Sequence, residues 1–352
     1  MSDKLRPGAD DDTSSARRPV TLQDVAKAAG VSVATVSFVA NDRRDVRVAD
    51  ATRARVQRVI DDLGYRPNVM AQTLQHGRSR FIGLVADAIA TTPFAGQIIH
   101  GAQDEAWKHG YVLLIANTEG DTEAEREAIA MMLEHRVHGV LYSTWFHRAA
   151  ELPAGLRQAD VVMVNCFSPT QEARGVVPDE RQGGRTATEA LIASGHRRIA
   201  FINATTPAPA QTGRLQGYQD ALAAAGIDFD PSLVRYAFSD QEGGYDAAGE
   251  VLETDATAVF CYNDRMAMGL YDRLRERGLS IPQDMAVVGF DNQEVIAAHL
   301  RPPLSTVGLP HYELGAAGVR VLLGLEAPDD DGMTIVACPP FLRDSIVPPA
   351  LS

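Results

Sequence analysis

The sequence predicts a small all-helical head followed by a larger body of two α/β lobes, each built on a parallel sheet. Three features predict it. Residues 21–65 hold three short helical patterns, two of them closed by glycine, where a positive φ costs little. From Phe81 onward, short and nearly all-apolar runs alternate with helical patterns, as expected of strands covered on both faces. That alternation restarts after Asp179, which divides the body into two units of similar size. A chain of 352 residues has room for such a plan.

Residues 1–19 are polar and rich in Asp, Ser and Arg, and read as a disordered tail. The head spans 20–66. Thr21 is placed to cap a helix, with Asp24 three residues on as a short version of the capping box. Leu22, Val25, Ala26 and Ala29 repeat at helical spacing, and Gly30 stops the run. Ser32 opens a second helix in which Val33, Val36 and Val39 are expected to face inward. Two short helices across a glycine turn form a helix-turn-helix, whose second helix enters the DNA major groove. The small residues Ala34, Thr35 and Ser37 would allow close approach to the groove floor. A third helix, from about Asp50 to Leu63, buries Val56, Val59, Ile60 and Leu63. Its Arg53, Arg55 and Arg58 face phosphate or simply solvent.

Charge supports the nucleic-acid reading over a plain helical bundle. The chain carries 33 basic and 46 acidic residues, net −13. Residues 17–80 nevertheless hold twelve Lys/Arg against six Asp/Glu, or +6. A basic head on an acidic body marks where DNA would dock. Residues 67–80 form a joint. Asn68 is placed to cap one or two helical turns through Leu74, a segment too short to be stable alone. It reads either as a plain linker or as a hinge helix that folds on DNA, with Leu74 wedged into a minor-groove step beside Met70.

The body occupies 81–352. The first lobe is expected over about 81–179 plus part of 309–352, and the second over about 180–308. Strands are expected at Phe81–Asp87, Tyr111–Asn117, Gly139–Ser143, Val161–Asn165, Ile199–Asn203, Ala256–Cys261 and Met285–Phe290. Which lobe the C-terminal helix and strand join is left open. Ligands bind such sheets at the carboxyl ends of the strands. Asp87, Asn117, Asn165, Asn203, Asn263-Asp264 and Asp291-Asn292 fall there, each of which also suits an ordinary turn or cap. With Phe94, Trp145 and Phe238 at nearby loops, and Arg214 near a helix start, they outline a cleft for a polyhydroxylated ligand.

Several classes are excluded or disfavoured. The sequence has no phosphate-binding GxxxxGK[ST], no GxGxxG after the first body strand and no GxSxG. No enzyme chemistry is therefore expected, and no cofactor. The nine histidines make no metal motif, and the three cysteines, Cys166, Cys261 and Cys338, are unpaired in spacing. The polar N-terminus and the absence of a long apolar run point to a cytoplasmic protein without membrane contact.

The residues also carry a resemblance. Thr21-Leu22-Gln23-Asp24-Val25-Ala26, continuing through Val33-Ala34-Thr35-Val36-Ser37, resembles the head of the lactose/galactose repressor family of bacterial regulators. Leu63-Gly64-Tyr65-Arg66-Pro67-Asn68 is similar to the same family, as are Ser194-Gly195-His196-Arg197-Arg198 and Gly213-Arg214-Leu215-Gln216-Gly217-Tyr218. Asn263-Asp264-Arg265-Met266 and Val288-Gly289-Phe290-Asp291-Asn292 complete the likeness, which runs from about Thr21 to Ser345. The resemblance implies a homodimer, or a tetramer, on palindromic double-stranded operator DNA. It implies a small-molecule effector between two lobes like those of periplasmic sugar-binding proteins, and a repressor as the commonest mode. Base reading then falls on Val33 and Ala34, and the hinge leucine on Leu74. The DNA-facing set is Thr21, Ser32, Val33, Ala34, Thr35, Ser37, Phe38, Asn41, Tyr65, Asn68, Gln72 and Leu74. The effector set is Asp87, Phe94, Trp145, Arg214, Phe238, Asn263 and Asp291.

The chain departs from the family at several points. Phe38 stands where Arg or His is usual, and can pack on a thymine methyl but not hydrogen-bond a guanine edge. Gln72 replaces the hinge arginine and gives up a phosphate contact. The usual Asp-Asn after the mid-chain strand reads Asp179-Glu180. Ala208 and Ala210 stand where the purine-responsive member has arginine and threonine. A purine is thereby disfavoured and a sugar or related polyol expected. The competing readings are a regulator with a non-sugar effector or none, and a non-regulatory solute-binding protein.

Overall fold

The computed structural model describes residues 20–41, 43, 46–65, 79–89, 92 and 95–347. They fall into two compact units that part between Ser79 and Arg80. The expected roles of Asn68, Gln72, Leu74 and Phe94 lie outside the described residues.

Among its described residues the head unit has three helices, α1 (Leu22–Ala29), α2 (Val33–Ala40) and α3 (Asp50–Leu63). Both halves of the capping box are made. The Thr21 hydroxyl accepts from the Asp24 N–H at 3.3 Å, and the Asp24 carboxylate accepts from the Thr21 N–H at 2.8 Å. Gly30 ends α1 in the left-handed region, at φ 65°. The Ser32 hydroxyl then caps α2, accepting from the Thr35 N–H at 3.2 Å. Val25, Val36 and Val56 meet in a core closed by Val39, Ile60 and Tyr65.

Two inward expectations for the head are corrected. Val33 is 42% exposed: it is the first residue of α2 and lies beyond the core that Val36 and Val39 close. Leu63 is 40% exposed. The Tyr65 N–H reaches back to the Ile60 carbonyl, and Tyr65 takes the buried place past the helix end. Two of the arginines on α3 are committed to backbone. Arg55 donates to the Ala29 carbonyl at 3.1 Å and Arg53 to the Arg43 carbonyl at 2.9 Å, which satisfies carbonyls left open at the end of α1 and beyond the end of α2.

In the body, the first lobe runs β1 (Phe81–Ala86), α4 (Gly96–Lys108), β2 (Val112–Asn117), α5 (Thr122–Glu134), β3 (Val140–Ala149), β4 (Val161–Phe167) and β5 (Arg174–Pro178). The chain then enters the second lobe with α6 (Glu180–Ala193), β6 (Ile199–Ala204), α7 (Pro209–Ala224), β7 (Val234–Ala237), α8 (Gln241–Val251) and β8 (Ala258–Cys261). It continues with α9 (Asp264–Glu276), β9 (Ala286–Asp291), α10 (Glu294–Ala297) and β10 (Ser305–Gly308). The C-terminal segment, left open by the sequence, serves both lobes. α11 (His311–Leu322) packs on α4, and β11 (Met333–Val336) joins the first sheet, whose order is β11-β5-β4-β3-β1-β2. β12 (Pro340–Phe341) completes the second sheet, ordered β12-β10-β9-β8-β6-β7. Every pairing is parallel except β10 with β12.

Each sheet is covered on both faces by apolar clusters, which is why its strands read as continuous apolar runs. Leu84, Leu141 and Val164 face one cluster of the first lobe; Val85, Val140 and Met163 face the other. The second lobe repeats the arrangement with Val259 and Val287 against Phe260 and Val288.

Three crossovers join the lobes and are tied to one another. The Asp179 N–H donates to the Val336 carbonyl at 2.9 Å, and the Gly308 N–H to the Pro339 carbonyl at 2.8 Å. The Gln182 side-chain amide accepts from the Cys338 N–H at 2.8 Å and donates to the Cys338 carbonyl at 3.2 Å. Next to this joint, α6 and α7 press backbone to backbone. A Cβ on Gly184 would strike the backbone of Arg214, and one on Gly217 the backbone of Arg181. That approach sets Arg214 beside the first turn of α6.

Candidate functional site

A cavity of about 200 Å³ opens between the two lobes of the body. This is smaller than the roughly 300–1,000 Å³ of sites for drug-sized ligands. Trp145, Phe146 and His147, on the far half of β3, line it from the first lobe. Ala208, Ala210 and Arg214 of the α7 region, Ser239, and Tyr262, Asn263 and Arg265 after β8 line it from the second. Ala204, Thr206 and Asp291 of the second lobe also line it, as do Glu180, Leu309 and His311, which all sit on the inter-lobe crossovers.

Arg214 is the hub. Its Nε donates to Glu180 Oε2 at 2.8 Å, and its Nη1 donates to the Tyr262 carbonyl. Nη1 also lies 3.7 Å from an Asp291 oxygen. The guanidinium plane is covered by the rings of Phe290, at 3.6 Å, and Tyr262, at 4.4 Å. Burial opposes the Arg214 charge, but Glu180, Tyr262 and Asp291 outweigh it and the pKa is raised. Burial likewise works against the Glu180 carboxylate. Arg214 and His147, whose Nδ1 lies 3.4 Å from Glu180 Oε1, hold it below the usual carboxylate range. Asp291 differs: burial dominates the pull of Arg214 and pushes it up to about 6. Burial lowers His311 to about 4, so it is a neutral imidazole at neutral pH.

Asp291 also sits in unusual backbone, with φ +98°, and Asn292 follows at φ +51°. For non-glycine residues this is strained geometry, of the kind that collects at binding sites. The loop is held from behind by Asp264, which is fully buried. It accepts from the Gln293 N–H at 2.7 Å and from the Thr306 hydroxyl at 2.6 Å. Asp264 is therefore a brace for the Asp291 turn rather than a lining residue.

The expected effector residues divide. Trp145, Arg214, Asn263 and Asp291 come together in the cavity lining. Asn263 is also the cap of α9, accepting from the Met266 N–H at 2.9 Å while donating to the Ser239 carbonyl at 3.0 Å. Asp87 is not in the lining: its carboxylate accepts from the N–H groups of Ala88, at 2.6 Å, and Trp145, at 2.9 Å, and faces Arg148. It ties the end of β1 to β3 and thereby positions Trp145. Phe238 is corrected as well. It is 73% exposed, and the neighbouring Ser239 is the lining residue. Reasoning from strand ends missed Phe146, His147, Glu180, Tyr262, Arg265 and His311. Glu180 had a signal, as the acidic departure after Asp179. Tyr262 and Arg265 flank a residue already singled out. His311 opens a helix in a part of the chain whose lobe was unknown.

On the head, Ser32, Val33 and Ala34 are exposed at the start of α2, and Thr35, Ser37 and Phe38 are half-buried. Their polar atoms engage one another. The Ser32 and Thr35 hydroxyls lie 2.9 Å apart, and the Asn41 amide donates to the Ser37 carbonyl at 2.9 Å. Thr21 is the α1 cap, and Tyr65 is buried under α3. The leading surface of α2 is thus short and largely apolar. Among the described residues, no group of three or more His, Cys, Asp or Glu could hold a metal ion. No described helix is long and apolar enough to cross a membrane.

Comparison with known proteins covers both units. Residues 21–68 match the family described as bacterial regulatory proteins, lacI family. Residues 79–324 match periplasmic binding proteins and sugar binding domain of LacI family. The chain is 35% identical to the HTH-type transcriptional repressor PurR of Vibrio atlanticus, over 86% of this chain and 91% of that protein. It is 34% identical to the ribose operon repressor of Haemophilus influenzae, over 93% of this chain and 98% of that protein. Among solved structures it resembles the Lac repressor dimer bound to operator and the anti-inducer ONPF. That likeness has a TM-score of 0.74 and 25% identity, covering 94% of this chain and all of the other.

Proposed function

The chain belongs to the LacI family of bacterial regulatory proteins, and from that premise we propose that its effector is a small uncharged sugar or related polyol, held between the lobes, that releases the protein from its operator. The protein is a DNA-binding repressor under allosteric control by a small molecule, and not an enzyme. The observation that carries the effector reading is the make-up of the cavity. Aromatic side chains stand beside carboxylates and guanidinium groups whose charges cancel: Arg214 and Arg265 against Glu180 and Asp291. Aromatic faces suit the C–H face of a sugar ring, and the paired polar groups suit its hydroxyls. The relative named as a ribose operon repressor supports the class.

The relatives named PurR favour a second reading, a nucleobase stacked on Tyr262 or Trp145. Against it stand Ala208 and Ala210, which offer the cavity no side-chain hydrogen bond. Coupling to DNA follows from where the ligand sits. Glu180, Leu309 and His311 belong to the crossovers, so a ligand touching them favours one lobe arrangement over another.

The DNA side is proposed to use the start of α2, with Val33, Ala34 and Phe38 packing on bases and Ser32, Thr35 and Ser37 near the backbone. Residues 67–80 are proposed as the hinge that adds shape-based selectivity through Leu74. A homodimer on a palindromic site is proposed as the working form. The solved relative is a dimer on operator, and β2, an edge strand, exposes Val112 and Ile115. The test is selection of bound duplexes from a random pool, repeated in the presence of pentoses, hexoses, disaccharides and nucleobases. The expected result is a palindrome whose capture is abolished by one sugar. Capture that responds only to a nucleobase would replace the sugar reading.

A further inference from the structure

We propose that Glu180 sets the charge class of the effector: it supplies the anion that Arg214 would otherwise take from a ligand, and so confines the cleft to uncharged polyhydroxyl compounds. This rests on the sugar or polyol reading above and goes beyond it by naming the compounds refused and the residue that refuses them.

A buried arginine in a ligand cavity ordinarily invites a carboxylate or phosphate, which its planar fork matches. Here the Nε and Nη1 donors are already engaged. The Glu180 oxygen lies 2.8 Å from Arg214 Nε, and the two side chains are only 4% and 3% exposed. Nη1 is turned to the Tyr262 carbonyl and toward Asp291, 3.7 Å away. The rings of Phe290 and Tyr262 also pack against the guanidinium. A ligand anion drawn to this guanidinium would compete with Glu180, and displacing Glu180 would leave a buried carboxylate without its partner, which is strongly unfavourable. The second cation of the lining, Arg265, also bears electrostatically on the Asp291 carboxyl. An uncharged hydroxyl meets no such barrier, since it can donate to either carboxylate without altering the charge balance.

Glu180 is also fixed in place. It starts α6 directly after the Asp179 crossover. Its other oxygen lies 3.4 Å from His147 of the first lobe, and the close α6–α7 approach at Gly184 sets the Arg214 backbone against α6. The ion pair is therefore a fixed part of the cavity wall that faces any ligand.

The test uses the full chain in calorimetry and thermal-shift titrations with matched pairs of probes. These are glucose with glucuronate and glucose 6-phosphate, ribose with ribose 5-phosphate, and inosine with its 5′-monophosphate. Sulfate serves as a probe that needs no knowledge of the effector. In the native protein the neutral member of the bound pair is expected to win by about tenfold or more. Glu180→Gln is expected to narrow or reverse that gap by about tenfold and to acquire saturable stabilisation by sulfate. Glu180→Asp, which keeps the charge, should show neither change, so a merely structural role is distinguished from a charge role. Preference of the native protein for an acidic member, or a sulfate response of Glu180→Gln equal to that of the native protein, overturns the proposal. The native comparison and Glu180→Asp still decide it if Glu180→Gln does not fold. Binding of inosine in place of any sugar would end the sugar reading, while the inosine pair would still judge the charge rule.

Discussion

The start of α2 and the cavity of the body present opposite recognition surfaces. In the head, polar side chains are engaged within three or four residues of themselves: Thr21 with Asp24, Ser32 with Thr35, Ser37 with Asn41. What they leave outward at the helix start is apolar, led by Val33. In the cavity, polar side chains find partners dozens of residues away, as Arg214 does with Glu180 and with Tyr262. The head is thus suited to contact by shape and methyl packing, and the cavity to polar matching of a small ligand. The difference teaches that the two surfaces fail differently. Damage to the cavity costs stability and response together, whereas damage to the reading face changes what is read and leaves the fold alone.

The largest expected effect tests the cavity half of that contrast. Arg214→Ala leaves Glu180 and Asp291 facing each other's neighbourhood without a cation between them. Removing one partner of a buried ion pair typically costs about 3–5 kcal/mol. Chemical denaturation should show the body transition destabilised by that amount, with the head transition unmoved, and effector response should vanish. A body transition unchanged to within about 1 kcal/mol would mean that solvent reaches the pair more freely than its burial indicates.

A smaller effect comes from pH. Burial raises Asp291 to about 6, and ligand hydroxyls donate best to its ionised form. Protonation turns that strong acceptor into a weaker one, so effector affinity should hold above pH 6 and decline below it by up to about tenfold per unit. His311 stays neutral through this window, because burial lowers it to about 4. Asp291→Asn should bind more weakly at neutral pH and show a flat profile. Calorimetry between pH 5 and 8 checks it, and a slope that survives in Asp291→Asn would assign the titration to another group.

The same contrast explains what the sequence made legible. Local devices were readable: the capping box, the Gly30 stop, the Ser32 cap and the apolar strands each have their cause within a few residues. The two-lobe plan was readable because each sheet is buried on both faces and so leaves an unbroken apolar run. Two short strands were not. β7 (VRYA) and β10 (STVG) are four residues each and carry no unbroken apolar run, unlike the equally short β8 (AVFC). The cavity was half legible. Trp145, Arg214, Asn263 and Asp291 follow from strand ends and motif positions. Glu180 and His311 owe their place to crossovers that only the folded chain brings together. Asp87 and Phe238 show the limit of the strand-end rule, since a residue there can equally brace a neighbour or face solvent.

The smallest expected change in stability tests the reading face itself. Val33 is 42% exposed, so Val33→Ala removes little burial and should alter head stability by no more than about 0.5 kcal/mol. Ser32→Ala is its internal contrast. It deletes the α2 cap seen at 3.2 Å and should cost about 1 kcal/mol. On DNA the order should invert. If Val33 packs on a base, losing its two methyl groups should weaken operator binding by up to about 1.6 kcal/mol, roughly fifteenfold, at about 0.8 kcal/mol per buried methylene-sized group. Binding to random duplex, which rests on phosphate contacts, should stay unchanged. Ser32→Ala should instead weaken both duplexes alike, because it loosens the helix and not a base contact. Equal loss on operator and random duplex for Val33→Ala would show that the apolar start of α2 only approaches the backbone, and that base selection lies with other residues.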